Sequence, residues 1–394
     1  MKHIYTLILM IFLFSNCFSQ TWLQRANFGG TARYGSTGFS IGTKGYIGVG
    51  RDMSSQKNDF WEWNQATNVW TQKANFGGTA RESAVGFSIG TKGYIGLGKD
   101  VAKKNDFWEY DPSLNTWTQK ANAPISRSDA TGFSIGSKGY VAAGIDAGNF
   151  IYNDLYEWNQ ATDTWTTKAA FGGVQRYYAV GFCIGNKGYI GTGTGPGNAK
   201  LNDFWEYDPS SDSWVQKTNF GGTARTFAVG FSVGSKGYIG TGNDAAYKND
   251  FWEYDPGVNT WTQKANFGGS ARYTAFGFGI GTCGYICLGY DGNYKNDFWE
   301  YGSCSPASSV SEYNSESDMA VYPSAGSGMF FLTIKNPELK IQSVDVYNTM
   351  GEKVFETKNE LIREINLQAL PSGLYYLKLN TEQGASLKKI IITK

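Results

Sequence analysis

A unit of 47–49 residues is written six times in this chain, and no other feature narrows its fold as much. One tryptophan recurs at Trp22, Trp70, Trp117, Trp165, Trp214 and Trp261, at spacings of 48, 47, 48, 49 and 47. A block reading Asp-Phe-Trp-Glu-Tyr, or a near variant, begins at Asp59, Asp106, Asp154, Asp203, Asp250 and Asp297. A third, built on Gly-Phe-Ser-Ile-Gly-x-Lys-Gly-Tyr-Ile-Gly, begins at Gly38, Gly86, Gly132, Gly181, Gly230 and Gly277. Repetition at this period marks modules that bury their apolar faces against neighbouring copies. Each copy holds four short β-type segments between turn residues, so the modules read as four-stranded sheets set radially, a β-propeller.

In the first copy the strands are expected at 38–42, 46–50, 59–63 and 69–74, with a turn at Thr43-Lys44-Gly45. The sixth copy stops after its third strand, whereas an unmatched tryptophan strand stands at 21–26. The N-terminal strand is therefore expected to complete the last sheet, giving six blades and no free edge at the join.

The remaining segments divide cleanly. Residues 4–14 are an apolar run behind Lys2 and His3, followed by small residues, which reads as a signal peptide at 1–19. The propeller is expected at 20–304. A Ser-rich linker follows at 305–318, and alternating strands without the repeat at 319–394 read as a small β-sandwich. No segment is long and apolar enough to cross a membrane as a helix. Lys plus Arg total 35 and Asp plus Glu 34, a net charge of +1 that argues against nucleic-acid binding. The only histidine, His3, falls in the signal peptide. Mechanisms that run on histidine, and His-ligated copper or zinc, are excluded for the processed chain.

Several residues are candidates for chemistry. One arginine precedes the first strand of each copy: Arg33, Arg81, Arg127, Arg176, Arg225 and Arg272. On one face of a propeller these form a ring that can bind carboxylates or sulfates of an acidic glycan, or they hydrogen-bond neighbouring loop backbone. Glu82 and Asp129 break the pattern after that arginine in adjacent copies. They are weak candidates for the acid–base pair of a glycosidase, and equally a cation site, partners of the arginines, or plain drift on a solvated loop. The loops between second and third strands vary most, and Phe150, Tyr152, Tyr247, Tyr290 and Tyr294 offer ring faces for sugars there. Asp and Asn in these loops suit Asx turns, although calcium is a further use; no calcium-repeat spacing occurs and no cofactor is indicated. Cys283 and Cys304 sit where the last sheet could join them in a disulfide, the alternative being free thiols. Cys283 and Cys287 are about 13 Å apart along a strand, too far to pair.

The repeat, with Arg33, Tyr46, Gly48, Gly50 and Trp70 in the first copy and Tyr110-Asp111-Pro112 and Trp117 in the second, resembles the kelch family of propellers over residues 21–303. Galactose oxidase belongs to that superfamily, but its copper chemistry needs histidine ligands and is not implied here. The tail resembles the C-terminal sorting domain (type A) of the type IX secretion system. It does so through Val321-Tyr322-Pro323, 346–351 (Val-Tyr-Asn-Thr-Met-Gly), Ile365-Asn366-Leu367, 370–375 (Leu-Pro-Ser-Gly-Leu-Tyr) and Lys388-Lys389. That resemblance implies export to the outer-membrane surface or beyond, with the secretion machinery as a partner. The expected protein is a secreted or surface-displayed monomer. Its propeller binds a glycan or a protein through the loop face without catalysis. The alternative is a histidine-independent glycoside hydrolase or lyase at the channel mouth.

Overall fold

The computed structural model describes residues 21–302 and 319–393, apart from 324, 335–339, 349–351, 359–361 and 382–383. The expected signal peptide, the linker and Cys304 lie outside the described residues. The chain divides into two compact units, residues 1–304 and 305–394.

In the first unit the repeats form six four-stranded antiparallel sheets. The first sheet runs Thr37–Ile41, Lys44–Gly48, Phe60–Asn64, Val69–Lys73 from inside outward. Its inner hairpin is tighter than expected: Ile41 pairs with Lys44, so Gly42-Thr43 is the turn and Gly42 takes the left-handed φ of +58°. Gly45 belongs to the second strand, where a Cβ would overlap the Phe278 ring of the neighbouring sheet. The same contact is copied around the molecule, with Phe39 over Gly93 and Phe87 over Gly139. A bulky ring on one sheet thus fills the gap left by glycine on the next, which lets sheets approach closely.

The inner strands touch in cyclic order, and Thr37–Ile41 meets both Val85–Ile89 and Phe276–Ile280. The sixth sheet takes its outer strand from the N-terminus, Trp22–Gln24 pairing antiparallel with Phe298–Tyr301. Outer-strand tryptophans tie each sheet to the one before. The Trp70 indole N–H donates to the Ala26 carbonyl at 3.0 Å, and that of Trp22 to the Ala265 carbonyl at 3.1 Å. Within each sheet the acid of the Asp-Phe-Trp-Glu-Tyr block is structural: Tyr46 donates to Glu62 at 2.7 Å, and Tyr238 to Glu253 at 2.6 Å.

The second unit has a three-stranded sheet (Met319–Tyr322, Met329–Ile334, Glu364–Asn366). Its five-stranded sheet is built on Ile341–Tyr347, Gly373–Thr381 and Gly384–Ile392. Phe330, Leu332 and Ile365 of the first share one buried cluster with Val344, Val346, Leu377 and Leu379 of the second. Among the described residues no helix is long and apolar enough to cross a membrane.

Candidate functional site

The six arginines do not form a ligand-facing ring. Arg33, Arg81, Arg127, Arg176, Arg225 and Arg272 are each at most 1% exposed. Each grips the first aspartate of its own third-strand block: Arg33 with Asp59, Arg81 with Asp106, Arg127 with Asp154, Arg176 with Asp203, Arg225 with Asp250, Arg272 with Asp297. In Arg33 all five N–H groups are used, on both Asp59 oxygens, the Thr31 carbonyl and hydroxyl, and the Val49 carbonyl. A guanidinium with no donor left over has nothing to offer a ligand.

The Val49 contact explains why the arginine is repeated. Val49 has φ of +53°, and the equivalent Leu97, Ala143, Thr192, Thr241 and Leu288 are left-handed too, at +56° to +62°. Such a conformation is costly for non-glycine residues, most of all β-branched ones. In every copy the arginine donates to the carbonyl of this residue, at 2.7–3.1 Å. It therefore fixes the turn from which the variable loop departs. The expectation that the arginines bind ligand is corrected: they are positioning residues beneath the loop face.

Above them, each copy presents a small ladder of three positions: the residue after the arginine, a loop residue bridged to it, and a second loop residue bridged to that. In the first copy these are Tyr34, Arg51 and Gln56, and in the second Glu82, Lys99 and Lys103. The third is Ser128, Ile145 and Ile151; the fourth Tyr177, Thr194 and Lys200. The fifth is Thr226, Asn243 and Tyr247, and the sixth Tyr273, Tyr290 and Tyr294. Identical scaffolding thus carries different chemistry around the ring: charged, then apolar, then aromatic.

The aromatic sector is continuous. Ring centroids lie 4.9 Å apart for Tyr177–Tyr178, 3.8 Å for Tyr178–Phe227 and 5.3 Å for Phe227–Tyr273. From Tyr273 the chain of rings reaches Tyr247 at 5.1 Å and Tyr290 at 5.7 Å, then Tyr294 and Tyr34. A cavity of about 400 Å³ opens among Tyr177, Tyr178, Phe227, Tyr247 and Tyr273, completed by Asn198, Asn243, Lys200 and the paired hydroxyls of Thr194 and Thr226. Burial raises the phenols of Tyr177 and Tyr273, and Tyr34 is pushed up to about 12, so all three stay neutral O–H donors near neutral pH.

Of the tyrosines singled out in the sequence, Tyr247, Tyr290 and Tyr294 meet in this sector. Tyr152 does not: its ring stacks on Arg127 at 4.4 Å and its hydroxyl donates to Asp146. Of the three that meet, only Tyr247 lines the cavity; its other walls, Tyr177, Tyr178, Phe227, Tyr273, Asn198, Asn243 and Lys200, are not marked as ligand contacts by the sequence. Their signal was the departure from repeat identity at the two positions after each arginine and within the loops.

Glu82 and Asp129 occupy different places. Glu82 is a ladder residue facing Arg51 at 3.9 Å. Asp129 lies one position further on, at the inner ring of left-handed residues that also contains Gly35, Ser83, Tyr178, Phe227 and Thr274. Backbone bonds link this ring from sheet to sheet, as in Ser83 N–H to Gly35 carbonyl at 2.9 Å and Tyr178 N–H to Asp129 carbonyl at 2.9 Å. Asp129 lines the central channel, a cavity of about 360 Å³, and accepts the Ser128 hydroxyl at 2.6 Å. Loop acids are committed locally: Asp52 accepts Ser54 and Ser55 backbone N–H groups and pairs with Lys57 at 2.7 Å, an Asx turn. Cys183 and Cys287 are free thiols, the Cys183 thiol pushed up to about 11 by burial. Cys283 is disulfide-bonded, and its expected partner Cys304 lies outside the described residues.

Residues 320–393 match the family model described as the secretion system C-terminal sorting domain. That domain marks export by type IX secretion, so this is a protein of the cell surface or the extracellular space. No curated protein matches the chain. Among solved structures, "Structure of YjhT" is similar at 15% identity and a TM-score of 0.60, covering 71% of this chain and 95% of that one. At this identity the likeness shows the fold alone, a β-propeller.

Proposed function

We propose that this protein is a glycan-binding module displayed or released by type IX secretion, and that its ligand lies on the aromatic sector of the loop face. The proposed architecture is a six-bladed propeller of kelch type, completed by its N-terminal strand and joined to a C-terminal β-sandwich. One observation carries the ligand reading: half-exposed tyrosines, amides and hydroxyls converge on an open cavity of about 400 Å³, over arginine-braced turns. Sugar rings offer apolar C–H faces that stack on aromatic rings and hydroxyls that pair with phenols and amides. Tyrosine supplies both kinds of contact at low entropic cost.

Titration of the secreted protein with a panel of polysaccharides, followed by calorimetry and product chromatography, tests this. Tyr273→Ala should weaken the best ligand about tenfold, roughly 1.4 kcal/mol, with polymer length unchanged. Shortened products, lost in Asp129→Asn, would replace binding by hydrolysis or elimination at the channel mouth.

A further inference from the structure

The cavity holds a charge that nothing balances. Its lining contains no carboxylate, yet the Lys200 ammonium stands on its wall. The lysines one position further along four other loops have acidic partners: Lys57 with Asp52, Lys104 with Asp100, Lys248 with Asp244, Lys295 with Asp291. Among the described residues Lys200 has no carboxylate within ion-pair distance, and its contact with a side chain is a 3.4 Å bond to the Asn243 amide oxygen. Lys200 is also partly buried, so its charge is only partly answered by water. Of its ladder equivalents only Lys103 is also a cation, and that ammonium is spent on the Ile145 carbonyl at 3.0 Å, away from the rings; Tyr247 and Tyr294 in the next two copies are neutral aromatics. Lys200 is therefore the ladder cation that borders the ring-lined sector.

We propose that the cavity takes an anionic sugar residue, its ring stacked on the tyrosines and its carboxylate or sulfate set against Lys200. This rests on the glycan reading above and adds the charge of the ligand. Thr226, whose hydroxyl accepts from Thr194 at 2.7 Å and keeps its own proton, and Asn198 line the same space and supply neutral donors. A partly desolvated cation facing an anion without a competing acid gains more than an exposed surface pair does.

The test uses the full secreted chain and four ligands: a uronate oligosaccharide, its methyl ester, a sulfated galactan oligosaccharide and its desulfated form. The expected result is tighter binding of an acidic ligand than of its neutral counterpart, an advantage that shrinks with added salt. Lys200→Met should lower affinity for that acidic ligand about fivefold more than for its neutral counterpart, whereas Tyr273→Ala weakens both alike. Whichever acidic ligand depends on Lys200 identifies the anion as carboxylate or sulfate. Equal affinity for acidic and neutral forms, or an acidic ligand indifferent to Lys200→Met, would overturn the charge assignment while the aromatic site stands. If none of the four binds, both readings fail.

Discussion

The repeated arginine shows how one side chain can be misread from composition and understood from its neighbours. A guanidinium copied six times on one face suggests a convergent anion site. Burial and a bidentate aspartate in every copy turn it into a brace for a left-handed turn. The pairs also set the acid limit of the fold. Burial alone would raise Asp59, Asp106, Asp203, Asp250 and Asp297, but hydrogen bonds from the arginines hold each below the usual carboxylate value. A carboxyl that ionises more readily folded than unfolded stabilises the fold above its unfolded pKa, near 3.9. That stability is lost as pH falls through the lower folded value. Melting temperature should hold from pH 7 to about 5 and drop steeply below about 4. Arg81→Ala, which leaves the partly buried Asp106 without its partner, should cost about 3 kcal/mol by chemical denaturation at pH 7. A loss under 1 kcal/mol would mean water replaces the guanidinium freely.

At the scale of strands and loops, the closure of the ring is the informative case. The sixth copy lacks an outer strand and the N-terminus supplies one, as the phase of the repeats requires. Trp22 then packs its ring within 5.1 Å of Phe251, Phe267 and Tyr301, spanning the fifth and sixth sheets. Trp22→Ala should lower stability by about 3–5 kcal/mol and leave the sheet content in circular dichroism intact. An unchanged denaturation midpoint would show that the seam is held without it. Strand existence and order were legible in the sequence because period-2 patterning and turn residues recur six times. The hairpin register was not: Gly45 looks like a turn residue until the Phe278 ring from the neighbouring sheet appears above it. The aromatic sector was half legible. Tyr247, Tyr290 and Tyr294 stand out in variable loops, but Tyr178 and Phe227 follow the arginine by two positions. Only the backbone ring at the channel mouth reveals that they share a wall with Tyr273.

At the scale of the whole molecule, the chain joins a module that presents side chains to a tail that delivers it. The sorting domain acts through export, and a chain lacking 319–394 should accumulate in the periplasm with its melting behaviour retained. Equal recovery of that truncated chain from the cell exterior would separate the tail from secretion. Delivery outside the cell fits a scaffold whose repeats differ at the ladder positions, at the residue after each, and in the loops, since a rigid frame with one changeable face is suited to recognition. The central claim is that this face binds sugar through its aromatic sector. The most direct measurement is a crystal structure of the secreted protein grown with the tightest oligosaccharide of the panel. The account predicts a sugar ring stacked among Tyr177, Tyr247 and Tyr273 with its polar groups on Asn198 and Asn243. Sugar lodged instead on the outer strands, or at the hairpin-turn end of the channel beside Cys183, would contradict it.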